Sequence, residues 1–194
     1  AMRDLEIRGA GNLLGTEQHG HMINIGYELY CKLVDDAVRA LGGEIVNPDR
    51  EETSIELDVP AYIPAAYISD ELLKIQMYKK IAAIRDSADK EEIIDELIDR
   101  FGEIPQETLN LLDVSHIRAM AEVIGIVRIH EESKRVVFEF FEKSKLTPKR
   151  IADLSEKYGI GILIHAGVKP FIKYSFSKKH KLNQIVIFLK KFMI

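Results

Sequence analysis

Apolar positions recur along most of this chain at helical spacing, and the period shortens to two near residue 55 and again beyond residue 125. Ile25, Leu29, Leu33, Ala37 and Ala40 predict a helix over Ile25–Leu41, which Gly42 and Gly43 would end. Ile55, Leu57 and Val59 alternate with Glu56 and Asp58, the pattern of a half-buried strand. Pro60 and Pro64 bracket Ala61-Tyr62-Ile63 and force an extended crossing. Three helices follow. Ser69 or Asp70 can cap the first, with Leu73, Met77, Ile81 and Ile84 as its stripe. Asp89 is expected to begin the second, Glu92 standing in capping-box register, with Ile93, Ile94, Leu97, Ile98 and Phe101 inside and Gly102 as the stop. Pro105 suits the first turn of the third, whose expected inner residues are Leu109, Leu112, Met120 and Val123 before Gly125.

The last seventy or so positions read differently. Ile126–Ile129 and Val136–Phe140 are β-rich runs around the polar HEESKR stretch, which predicts a hairpin. Thr147-Pro148 opens a short helix that Gly159 closes, and Ile160–His165 with Phe171–Phe176 predict a second strand pair. Leu182, Ile185, Leu189 and Phe192 mark a final amphipathic helix. A strand, a run of helices and then mixed elements predict an α+β fold. The expected organisation is an N-terminal helical and loop segment over 1–46, then an α+β domain of mixed strands and about five helices over 47–194. The polar, proline-bearing stretch Asn47–Thr53 reads as the linker between them.

Composition changes the picture only in places. With 194 residues, 46% hydrophobic and 30% charged, the chain has an ordinary globular balance. A chain of this size can bury about 70% of its unfolded surface and needs no disulfide or metal to fold. The lone Cys31 cannot form an internal disulfide. No apolar run reaches the roughly 18 residues of a membrane helix, and the charged N-terminus has no signal-peptide core, so the cytoplasm is the expected location. Charge is unevenly placed. Residues 143–194 carry twelve Lys or Arg against Asp153 and Glu156, a balance of +10, and the first 142 residues balance at −14. Such an end can attract nucleic acid, meet an acidic protein face, or be a set of solvated lysines.

Catalytic patterns are mostly missing. Gly9-Ala10-Gly11 begins like a dinucleotide fingerprint, but Leu14 stands where the third glycine belongs, and Gly15 comes one late. No Walker-type G-x-x-x-x-G-K-[ST] loop occurs. Glu17, His19 and His21 could be metal ligands by spacing, yet Gly20 argues for a loop and no second cluster accompanies them. Glu51-Glu52, Glu91-Glu92 and Glu131-Glu132 are adjacent carboxylates, which do not face one another on a helix. Cys31 reads as a buried inert thiol, and no Ser sits in a G-x-S-x-G elbow. No catalytic, cofactor-binding or metal residue is expected in this chain. Arg8 offers a rigid fork of donors suited to carbonyls or a carboxylate. Gln18, on a glycine-flanked loop, can donate to phosphate and accept from a base edge.

The first residues, Arg3-Asp4-Leu5-Glu6-Ile7-Arg8-Gly9-Ala10-Gly11, then Leu13-Leu14-Gly15, Gln18 and Gly20, carry a family likeness. They resemble the motif that follows the second helicase lobe in the transcription-repair coupling factor (Mfd) family and the branched-DNA translocase (RecG) family. The continuation GYELYCKLVDDAV, AYIP, YKKIA and ELIDRFGEIP resembles the coupling factors alone. The likeness spans essentially the whole chain and identifies it as the C-terminal portion of that family. It implies ATPase lobes, with their ATP and Mg, upstream of Ala1. It implies that Arg8 locks a helical hairpin to those lobes and that Gln18 lies on the loop pushing along duplex DNA. His19 departs from the serine of many relatives. The resemblance further implies that residues 47–194 form a regulatory domain. That domain would clamp a UvrB-like module and hide the surface that recruits UvrA, in a parent that displaces stalled RNA polymerase and recruits nucleotide excision repair. The basic C-terminal segment leaves a DNA-binding accessory role as the alternative.

Overall fold

The computed structural model describes residues 53–133, 135–141, 147–177 and 180–193. The helix expected over Ile25–Leu41 and the boundary at residues 46 and 47 lie outside them. Among the described residues the elements run β1 (Ser54–Glu56), α1 (Glu71–Ala82), α2 (Ser87–Phe101), α3 (Gln106–Ile124), β2 (Ile126–Glu132) and β3 (Arg135–Phe140). Then come α4 (Pro148–Tyr158), a 3₁₀ turn (Gly159–Gly161), β4 (Ile162–His165), β5 (Phe171–Tyr174) and α5 (Lys181–Met193). The strands form one sheet in the order β1-β2-β3-β5-β4. β1 runs parallel to β2, and the other pairs are antiparallel. The fold is α+β. Among the described residues no helix is long and apolar enough to cross a membrane.

Local chemistry sets the ends of these elements. Asp70 caps α1 by accepting the Leu73 N–H at 2.9 Å, and Thr147 caps α4 by accepting from Arg150 at 3.3 Å, ahead of Pro148. Each such cap contributes about 1 kcal/mol. The start expected at Asp89 is corrected: α2 begins at Ser87, capped by Asp86, whose carboxylate accepts from Ala88 and Asp89 at 2.8 and 3.0 Å. Asp89, not Glu92, stands three residues after the cap, and it accepts the N–H of Arg85, the residue before the cap, at 2.9 Å. Pro105 stands one residue ahead of α3 rather than within its first turn. Gly125 ends α3 at φ +87°, a conformation open to glycine without steric cost. The HEESKR stretch is mostly strand, because β2 runs on through Glu132 and β3 starts at Arg135, the two paired across the hairpin.

Strand alternation divides the sheet into two unlike faces. Ile55, Ile129, Phe138, Ile172 and Ile164 pair in succession across all five strands, so they share one face. α5 lies over that face: the Phe188 ring is 5.1 Å from Phe138 and stacks on Tyr174 at 5.5 Å. Tyr158 of α4 and Phe192 close the cluster, each 5.5 Å from Phe188. α3 packs against α5, β1 and β2, and on its other side against α1 and α2. Burial therefore runs around most of α3, through Leu111, Leu112, Ser115, Ile117, Ala121 and Ile124, while Val123, and Ile98 of α2, are 54% and 51% exposed instead of inside. A single-stripe reading assumes one neighbour, and α3 has several. Ser115 Oγ donates to Ile81 O, and Arg118 donates to Ala82 O at 2.6 Å, tying α3 to the end of α1.

Candidate functional site

A groove of about 720 Å³ opens between α4 and the end of α5. Lys149, Arg150, Asp153, Leu154 and Lys157 fall on one helical face of α4 by their spacing, and Lys191 with Phe192 come from α5. Leu154 and Phe192 are 6% and 2% exposed and form an apolar floor. Lys149, Lys157 and Lys191 are exposed at the rim. Several other cations of the domain pair with carboxylates: Lys80 and Arg100 with Glu96, Lys90 with Asp113, Arg128 with Glu56, Lys173 with Glu132 and Lys181 with Glu131. Among the described residues, no carboxylate lies within ion-pair distance of Lys149, Lys157 or Lys191. These three lysines thus present positive charge that no carboxylate among the described residues pairs with.

The second surface is the sheet face away from the helices. Two rows cross it: Glu56, His130, Val137, Lys173 and Leu163, then Ser54, Arg128, Glu139, Phe171 and His165. Arg128 grips Glu56 with both arms of its fork, at 2.8 and 2.7 Å. Those hydrogen bonds hold the Glu56 carboxyl below its usual range. Lys173 does the same to Glu132 and lies 5.3 Å above the Phe171 ring, on which His165 stacks at 5.0 Å. His130 Nδ1 is buried, 3.7 Å from Glu139 Oε1, with no hydrogen-bond partner. Glu56 with Arg128 and Glu132 with Lys173 thus pair off across this face. Among the described residues no three His, Cys, Asp or Glu side chains converge to hold a metal ion.

The adjacent carboxylates separate as strand geometry requires. Glu131 turns to Lys181 and also accepts the Asp58 N–H at 2.8 Å, whereas Glu132 points to the other face and Lys173. Glu91 and Glu92 are exposed on α2. His116, 6% exposed on α3, has a buried Nδ1 without a partner. Burial first, then the charges of Lys90 and Lys190, push its pKa down, which favours a neutral ring. Arg8 and Gln18 lie outside the described residues, as do Glu17, His19, His21, Cys31, Glu51 and Glu52. Sequence reasoning located the basic excess but not the groove. The spacing of Arg150, Leu154 and Lys157 signals one face of α4, yet nothing local places Lys191 beside it.

Comparison with known proteins bears on this architecture directly. The TRCF domain profile matches residues 57–151. The transcription-repair-coupling factor of Haemophilus influenzae is 39% identical over 189 residues, covering 95% of this chain and 16% of that protein. The Escherichia coli factor is 41% identical over 161 residues, covering 81% of this chain and 14% of its own length. The chain thus spans well under a fifth of these relatives. A crystal structure of the C-terminal domain of transcription-repair coupling factor superposes with a TM-score of 0.67 at 24% identity. It covers 74% of this chain and 94% of that one, and so shares the fold. The chain belongs to the transcription-repair-coupling factor family.

Proposed function

We propose that this chain is a non-catalytic, regulatory C-terminal part of a bacterial transcription-repair coupling factor. In this reading the parent uses ATP and Mg in lobes outside this chain to translocate on duplex DNA, displaces stalled RNA polymerase and recruits nucleotide excision repair in the cytoplasm. Residues 47–194 clamp a UvrB-like module of the same molecule and mask its UvrA-recruiting surface. Residues 1–46 end the translocase lobe, with Arg8 locking the helical hairpin and Gln18 contacting DNA. The family membership supports the setting. The observation that carries the regulatory role is the segregation of charge, −14 over the first 142 residues against +10 beyond. Charge complementarity steers one surface onto another and gives specificity more than raw affinity.

Weak clamping suffices when the partners are tethered. At an effective concentration of about 1 mM, an intrinsic Kd near 10 μM keeps roughly 99% of molecules closed. A competing partner can then open the contact, as a switch requires. Mixing this chain with the separate UvrB-like module is expected to give salt-sensitive binding by titration calorimetry. No association at millimolar concentration in low salt would end the clamp reading.

A further inference from the structure

The groove between α4 and α5 joins cationic walls to an apolar floor. Its rim is cationic on both walls, with Lys149 and Lys157 from α4 and Lys191 from α5. Its floor, Leu154 and Phe192, is apolar. Its size falls inside the range of about 300–1,000 Å³ typical of ligand pockets. A bare anion would use the rim and leave the floor wet. Duplex DNA offers phosphate and sugar to such a rim but no apolar knob for the floor. An amphipathic protein segment matches both parts: one or two apolar side chains on the floor and carboxylates reaching the two walls.

We infer that the α4–α5 groove is a docking site for an acidic amphipathic segment of a protein partner. Lys149 and Lys157 take carboxylates on one wall and Lys191 on the other, and Leu154 and Phe192 receive the apolar anchor. Asp153, one helical turn from both Lys149 and Lys157, weakens the attraction and keeps the contact reversible. The site goes beyond the proposed clamp, since it needs no UvrB-like module.

The test is fluorescence anisotropy on the full chain in low salt. The probes are a labelled helical peptide of Glu and Ala with one leucine stripe, the same peptide with alanine for leucine, and a short blunt DNA duplex. The striped peptide is expected to bind, the leucine-free peptide about tenfold more weakly, and the duplex only at the level of non-specific attraction. Lys149→Glu combined with Lys191→Glu is expected to weaken the striped peptide about tenfold or more, with an unchanged thermal melt. Asp153→Asn is expected to tighten it, a gain that misfolding cannot produce. The inference is overturned if the striped peptide fails to bind at millimolar concentration or if the double variant binds it equally. It is also overturned if the leucine-free peptide binds as well, or if only the duplex loses affinity in the double variant. Because the UvrB-like module is absent from this assay, either reading can fail while the other stands.

Discussion

The two faces of the sheet are made by the same five strands and do different work. Under α3 and α5, the row from Ile55 through Phe138 to Ile164 joins an aromatic cluster centred on Phe188, which is 1% exposed. Fully burying a side chain of that kind stabilises by about 1.5–3 kcal/mol. On the other face Glu56, Arg128, Glu132 and Lys173 pair off in partial contact with water. Each exposed pair is worth about 0–1 kcal/mol. One face therefore holds the domain together, and the other shapes its surface. The groove combines both characters, an apolar floor under lysines that have no ion pair among the described residues.

The sharpest way to break this contrast is Phe188→Ala. It should cost about 3–5 kcal/mol in urea denaturation, since the ring touches Phe138, Tyr158, Tyr174 and Phe192 and leaves a cavity among them. A loss below about 1 kcal/mol would mean that the aromatic cluster is not the stabilising face.

A smaller effect is expected from pH on the covered side. The pKa of His116 is depressed in the folded state, so the unfolded chain binds its proton first as pH falls. The stabilising contribution is complete above the ordinary histidine value of 6.5 and is lost as pH falls from there toward the folded pKa. Denaturation at a series of pH values should show that decline, and His116→Leu should flatten it.

The smallest change is predicted for the open face. Glu56→Gln should cost about 0.5–1 kcal/mol at low salt and less in high salt, because the pair with Arg128 is more than a third exposed on each side. The Glu56 carboxyl is held low by Arg128, so its share is present above its usual value of 4.5 and lost as pH falls through the lower folded value. A loss as large as that of Phe188→Ala would abolish the distinction between the faces.

Much of the fold was legible locally. The caps at Asp70 and Thr147, the stops at Gly102, Gly125 and Gly159, and the inner residues of α5 follow from spacing and side-chain chemistry alone. The miss at Asp89 arose because two aspartates three residues apart offer the same signal, and only the backbone path shows that Asp86 receives the free N–H groups. Val123 was misplaced because α3 is enclosed by several elements at once. The candidate site was half visible: a basic face on α4 could be read from spacing, but its meeting with Lys191 could not.

Hydrophobic period, capping side chains and left-handed glycines act over a few residues, so the order and kind of most elements were already written in the chain. That β5 lies between β3 and β4, that one sheet face is roofed while the other pairs its own charges, and that α4 meets the end of α5 were decided only by docking. These depend on contacts between residues far apart in sequence, whose shared burial sets the arrangement and for which local patterns carry no signal.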